Sequence, residues 1–183
     1  MSSAAPSKWL ALALASLVLA LTRPVATVVI PSNEATVILA MDVSLSMCST
    51  DIAPNRLEVA KDAALSFVRD NSSGRQVGIV AFAGFAELMQ PPTTDLQRLE
   101  NAIGILAPAR RTAIGSAILR SIDAIAEVDE RVAPSELRQS TGTVPAVPEG
   151  EYLPHIVVLL TDGASNAGPL PMTAAEQAVE RGI

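Results

Sequence analysis

The sequence predicts a doubly wound α/β fold, a mostly parallel sheet with helices on both faces. Three observations carry this. Three short, almost wholly apolar runs (Ala35 to Met41, Val77 to Phe82 and Ile156 to Thr161) have the length and β-branched content of strands buried on both faces. Segments with helical spacing of apolar residues alternate with them, and strands alternating with helices imply a parallel sheet. With 183 residues, about half of them apolar, the chain can bury the core that such a fold needs.

The elements follow in order. Thr27 to Ile30 and Ala35 to Met41 are two β-rich runs separated by Pro31-Ser32-Asn33-Glu34. Arg56 to Arg69 places Leu57, Ala60, Ala64, Phe67 and Val68 on one helical stripe, and Asn71-Ser72-Ser73-Gly74 stops it. Val77 to Phe82 is the next buried strand. Glu87 to Gln90 reads as a short edge strand ended by Pro91-Pro92. Asp95 to Leu106 reads as a helix with Asp95 near its cap and Leu96, Leu99, Ile103 and Leu106 inward. Ala113 to Val132 is a longer amphipathic helix striped by Ile114, Ile118, Ile122 and Ile125. Residues 133–154 hold four prolines and two glycines and read as a long surface loop or an inserted disordered segment. Ile156 to Thr161 is the third buried strand, and Thr173 to Arg181 a closing helix.

The N-terminal 24 residues form a separate region. Trp9 to Thr22 is a 14-residue uncharged apolar run between Lys8 and Arg23-Pro24. It is shorter than the roughly 20 residues that span a bilayer comfortably. A membrane anchor extended by its flanks, a secretory signal peptide and a buried core helix are all compatible with it. The signal-peptide reading is weakened by Ala20-Leu21-Thr22, a poor cleavage site.

Composition excludes several functions. A net charge of −6 with no Lys/Arg cluster argues against nucleic acid and anionic lipid headgroups as partners. One Trp, one Tyr and three Phe offer no stacking platform for bases or sugars. The single cysteine, Cys48, cannot form an internal disulfide and reads as incidental, while His155, opening a strand after Pro154, reads as structural. Glu127, Asp129, Glu130 and Arg131 read as a solvated helix face.

The chemistry lies in Asp42-Val43-Ser44-Leu45-Ser46, on the loop after the first long buried strand. Ligands of open α/β sheets sit beyond the carboxyl ends of the strands. A carboxylate and two hydroxyls are hard oxygen donors of the kind Mg²⁺ requires, whereas soft metals want thiolates and imidazoles. Asp-x-Ser-x-Ser alone is weak, arising by chance in about one chain in twenty of this length. Thr112, at the start of a helix, and Asp162, in the Thr161-Asp162-Gly163 turn ending the third buried strand, strengthen it. Ser and Asp also favour caps and turns without any metal, but here three separate loops agree.

Asp42-x-Ser44-x-Ser46, Thr112 and Thr161-Asp162-Gly163, in this order, resemble the metal-ion-dependent adhesion site of von Willebrand factor type A (VWA) domains, a Rossmann-like fold. The resemblance implies that Ser44, Ser46 and Thr112 bind Mg²⁺ or Mn²⁺ directly or through water, and that Asp42 and Asp162 act mostly through water. One coordination position stays free for the Asp or Glu of a partner protein. Leu21-Thr22-Arg23-Pro24, Asn55-Arg56-Leu57, Leu160-Thr161-Asp162-Gly163 and Ala174-Ala175 are further similar to bacterial membrane-anchored VWA proteins of the aerotolerance (Bat) type. That similarity implies a membrane protein of the bacterial cell envelope with an extracytoplasmic domain. It also implies a MoxR-type AAA+ ATPase system and other VWA proteins as partners. In the family the next strand begins at Gly182-Ile183, so residues 25–183 read as a VWA domain incomplete at its C-terminus. Two departures stand out: Leu45 where Gly is frequent, and Arg110-Arg111 where Gly-Gly often precedes the threonine. Those arginines either crowd the site or attract an acidic partner.

The competing reading is an enzyme, a haloacid-dehalogenase-type phosphatase with Asp42 as nucleophile. Such enzymes place a second Asp two residues later, where this chain has Ser44, and need a lysine that neither Lys8 nor Lys61 supplies from a suitable loop. Serine hydrolase and P-loop signatures are absent.

Overall fold

The computed structural model describes residues 35–70, 74–135, 147 and 151–183. Four strands form one mixed sheet in the order β3-β2-β1-β4. They are β1 (Thr36–Asp42), β2 (Gln76–Phe82), β3 (Ala86–Thr93) and β4 (His155–Leu160). The helices are α1 (Arg56–Asp70), α2 (Leu96–Gly104), α3 (Ile114–Ala126) and α4 (Pro171–Glu180), with a short 3₁₀ turn at Leu45–Cys48. β1 pairs in parallel with β2 and β4, whereas β3 is antiparallel to β2.

β1 is buried along all seven residues because both of its faces are covered. Val37, Leu39 and Met41 join Leu57, Ala64 and Val68 of α1 and Leu99 and Ile103 of α2 in one core. Ile38 and Ala40 join Ala117, Ile122 and Ile125 of α3 in the other, with Ala178 of α4 packed against it. The period-2 alternation of the strand thus feeds two cores, as a sheet with helices on both faces requires. Asn55 Oδ1 accepts the Glu58 amide at 2.9 Å to start α1, and Asp95 caps α2 through the Gln97 and Arg98 amides. Gly182, at φ +70°, ends α4: its amide bonds to the Val179 carbonyl and that of Ile183 to the Ala178 carbonyl.

Three expectations are corrected. The edge strand is not ended by Pro91-Pro92, since β3 runs through both to Thr93. An outer strand tolerates proline, and its pairing slips between Val77 and Ile79, opposite the prolines. Gly78 lies under this irregularity, where an added Cβ would stand 3.3 Å from Pro92 Cγ and 2.7 Å from Ile38 Cδ1. The helix expected over Ala113 to Val132 stops at Ala126, although Val132 still reaches the core. β4 is half-buried rather than fully buried; it is an outer strand among those described, and Ile156 is 55% exposed.

α3 ends early because Asp129 is not on a solvated face. Its side chain is 12% exposed, and it accepts from Arg131 and, at 2.8 Å, from Nε2 of the buried His155. This ties the turn after α3 to the start of β4 and gives His155 the expected structural place. Hydrogen bonds from the Arg131 guanidinium, then its amide and His155, hold the Asp129 carboxyl well below the usual carboxylate range, against the opposing effect of burial. A depressed folded value contributes stability above the unfolded value of 3.8 that is lost as pH falls through the folded one. Asp129→Asn should therefore destabilise the protein at neutral pH, and its melting temperature should converge on that of wild type as pH drops below about 4. Parallel melting curves across that range would contradict this.

The apolar segment Trp9 to Thr22, the run Thr27 to Ile30 and most of the proline-rich stretch lie outside the described residues. Among the described residues no helix is long and apolar enough to cross a membrane.

Candidate metal centre

β1 sits where the chain path reverses. From it the chain moves through α1 to β2 on one side, and later returns to β4 on the other. Crevices at such switch points, beyond the carboxyl ends of the strands, are where open α/β sheets bind ligands. Asp42 is the last residue of β1, and Asp162 lies two residues past the end of β4.

The two loops are joined by hydrogen bonds. Asp42 Oδ1 accepts the Ser44 amide at 2.7 Å, and Asp42 Oδ2 accepts the Thr161 hydroxyl at 2.6 Å. Ser44 Oγ and Ser46 Oγ are 2.8 Å apart, and Ser46 Oγ donates to Asp162 Oδ1 at 3.0 Å. Asp42 and Ser44 are buried, whereas Ser46 is exposed. The five predicted residues thus include four linked from Asp42 to Asp162 in one network.

The fifth, Thr112, is buried and carried to the same end of the sheet by its backbone. Three residues before it, Ala109 donates to the Val43 carbonyl at 2.7 Å and forms a parallel bridge with Ser44. On its other side the loop after β4 holds it: its amide donates to Asn166 Oδ1 at 2.9 Å, and its carbonyl accepts from the Asn166 and Ala167 amides. The departures from the family pattern find local accommodation. Leu45 enters the 3₁₀ turn with its side chain 53% exposed, so no glycine is needed there. Arg111 takes a left-handed conformation, φ +73°, which costs a side-chain-bearing residue about 1–2 kcal/mol and which glycine adopts freely.

Arg56 and Asp51 were missed as parts of the site. Arg56 forms a two-pronged pair with Asp51 at 2.8 and 2.9 Å and also contacts Asp162 Oδ2 through Nη1. The Asp51 and Asp162 carboxylates raise the Arg56 guanidinium further above its ordinary value, and Arg56 holds the Asp51 carboxyl below its own. Asn55-Arg56-Leu57 was legible as a motif, but nothing local signals a contact between residues 106 apart. Arg110 and Arg111, the arginines singled out by their neighbourhood to Thr112, are both exposed.

The candidate donors are oxygens throughout: two carboxylates and the hydroxyls of Ser44, Ser46 and Thr112. Among the described residues no three or more His, Cys, Asp or Glu side chains are grouped so that they alone could hold a metal ion. A hard divalent cation that keeps part of its water shell fits such donors, and a thiolate- or imidazole-seeking metal does not. The phosphatase alternative fares poorly in the same geometry. Both Asp42 oxygens are engaged and the residue is 1% exposed, while Lys61 pairs with Glu58 on α1.

Comparison with known proteins gives the family. The family model for the von Willebrand factor type A domain matches residues 37–164. The chain belongs to the von Willebrand factor type A family. This VWA domain is 35% identical over 184 residues to a UPF0353 protein of Mycolicibacterium gilvum, covering 97% of the chain and 51% of the relative. It is 43% identical over 121 residues to a UPF0353 protein of Nocardia farcinica, covering 66% of the chain and 36% of the relative. The chain therefore spans about half or less of the length of these curated relatives. Among solved structures it resembles the conserved hypothetical protein BatB of Bacteroides thetaiotaomicron (TM-score 0.60, 29% identity, 81% of this chain and 62% of that one). It also resembles an aerotolerance-related membrane protein of Bacteroides fragilis (TM-score 0.57, 28% identity, 79% and 61%). The expected likeness to Bat-type VWA proteins holds, and the module is of a kind found in membrane-associated proteins.

Proposed function

We propose that this VWA domain is a metal-dependent protein-binding module rather than an enzyme. Ser44, Ser46 and Thr112 would hold a Mg²⁺ or Mn²⁺ ion, with Asp42 and Asp162 supplying the negative charge around it. When bound, the ion supplies an open coordination position for the carboxylate of a partner's Asp or Glu. The observation that carries this reading is the hydrogen-bonded line from Thr161 through Asp42, Ser44 and Ser46 to Asp162, which spans the switch point of the sheet. A partner with an exposed acidic residue fits it, and the Bat-type likeness points to a MoxR-type AAA+ ATPase system and other VWA proteins.

Calorimetric titration with Mg²⁺ and Mn²⁺ tests the reading. Wild type should bind, and Asp42→Ala and Thr112→Ala should each weaken binding by about tenfold or more, the loss of about 1.4 kcal/mol of ligand interaction. Equal binding by all three proteins would remove the assignment.

The same likeness supports a place in the bacterial cell membrane, anchored by Trp9 to Thr22, with the domain extracytoplasmic. Thirteen residues, 23–35, separate Thr22 from β1, a tether that reaches at most about 45 Å when extended. With Cys48 replaced by Ser, a Ser140→Cys variant should react with a membrane-impermeant maleimide in intact spheroplasts. Labelling only after lysis would put the domain in the cytoplasm.

A further inference from the structure

Beside the candidate metal loops, on the β3 side, lies an apolar groove of about 220 Å³. Val43, Phe82, Met89 and Leu106 line it, and Phe85 and Ile105 stand at it 69% and 68% exposed. Apolar side chains exposed together at the rim of an apolar concavity are a feature of binding surfaces. The groove is also built into the metal loops. Val43 lies between Asp42 and Ser44, and Ala109, a further lining residue, donates to the Val43 carbonyl and bridges Ser44. Phe85 is fixed by the tight turn in which Ala83 donates to its carbonyl at 2.9 Å.

Charge is distributed to match. Glu87 is the one charged residue lining the groove, whereas the exposed Arg110 and Arg111 pass over the neighbouring Gly84. An added Cβ at Gly84 would be 3.1 Å from the Arg110 carbonyl oxygen and 3.7 Å from Arg111 Cβ. Two exposed arginines beside the groove against one lining glutamate leave a positive balance there, which favours an acidic segment.

We infer that the groove between Phe85 and Ile105 seats a large apolar side chain adjacent in sequence to the partner's metal-binding acidic residue. The recognised element is then a short acidic–apolar pair on a partner protein, such as Phe-Asp, and not a lone carboxylate. This rests on the metal-dependent reading above, and it adds the feature that separates one acidic partner from another. Aromatic and aliphatic anchors of this kind dominate interface energies, while exposed charges steer approach.

The test uses the full chain in saturating Mg²⁺ and three capped peptides: Gly-Phe-Asp-Gly, Gly-Ala-Asp-Gly and Gly-Phe-Asn-Gly. Affinities are read from methyl chemical-shift titrations. The Phe-Asp peptide should bind about tenfold or more tightly than the Ala-Asp peptide, the lower bound for burying a large apolar side chain, and should shift the Ile105 methyl resonance. Phe85→Ser and Ile105→Ser, both at exposed positions, should bring that ratio towards one. They should leave affinity for the Ala-Asp peptide and calorimetric Mg²⁺ binding unchanged. Equal binding of the Phe-Asp and Ala-Asp peptides overturns the groove and leaves the metal reading standing. Phe-Asn binding as tight as Phe-Asp overturns the coupling between groove and cation, and no binding of any peptide overturns the groove outright. Failure of the wild-type chain to bind Mg²⁺ in calorimetry removes the metal reading and this inference with it.

Discussion

Replacing Arg181 with methionine is expected to lower the unfolding free energy by about 3–5 kcal/mol, since each buried carbonyl left without its donor costs about 1–3 kcal/mol. Arg181 is 1% exposed at the end of α4. Its Nε donates to the Ala133 carbonyl at 2.6 Å, Nη1 to that of Gln177 at 2.7 Å and Nη2 to that of Pro134 at 3.1 Å. The planar fork therefore ties the chain after α3 to α4. Methionine fills much of the volume but leaves three carbonyls without this donor. Lysine, a point charge on a flexible stem, should recover only part of the loss because it cannot reach all three in one geometry. Urea unfolding measures the effect. A loss under about 1 kcal/mol for Arg181→Met, the size of a single ordinary hydrogen bond, would show that the guanidinium does not organise this end of the domain.

Gly115→Ala is expected to cost about 2–3 kcal/mol through overpacking, and to weaken metal binding as well. Gly115 opens α3 directly beneath the loop that follows Asp162. A Cβ there would stand 2.2 Å from the Pro169 carbonyl oxygen and 2.8 Å from its carbonyl carbon, contacts that no side-chain rotation relieves. Either α3 or the 163–170 loop must move, and the loop also grips the Thr112 backbone through Asn166 and Ala167. Gly104→Ala is the matched control. Nothing lies within 4 Å of a Cβ at that position in α2, so the variant should be as stable as wild type or more stable by up to about 1 kcal/mol. Similar melting temperatures for the two variants would refute the close approach.

Much of the fold was legible because local pattern and burial agree. Apolar runs with β-branched residues became β1, β2 and β4, and the Asp95 cap and the Leu57-Ala64-Val68 stripe fell where spacing put them. Legibility failed where tertiary contacts overrode local preference. Pro91-Pro92 reads as a strand stop, yet the outer position of β3 frees it from needing those amides. The helical pattern of α3 continues on paper to Val132, yet Asp129 is drawn to His155 and Arg131, and the helix ends before it. At the site, Asp42, Ser44 and Ser46 were readable from one loop and Asp162 from a strand end. Arg56 was not, because its contact with Asp162 exists only once α1 and β4 lie side by side.

The most direct measurement of the central claim is anomalous diffraction from crystals of the chain grown with Mn²⁺. The account predicts one strong anomalous peak between the loop after β1 and the loop after β4, at a coordination distance of about 2–2.5 Å from Ser44 Oγ and Ser46 Oγ. It should disappear in Asp42→Ala crystals grown in the same way. A peak elsewhere on the domain, or none at these serines in a fully Mn²⁺-saturated crystal, would contradict it.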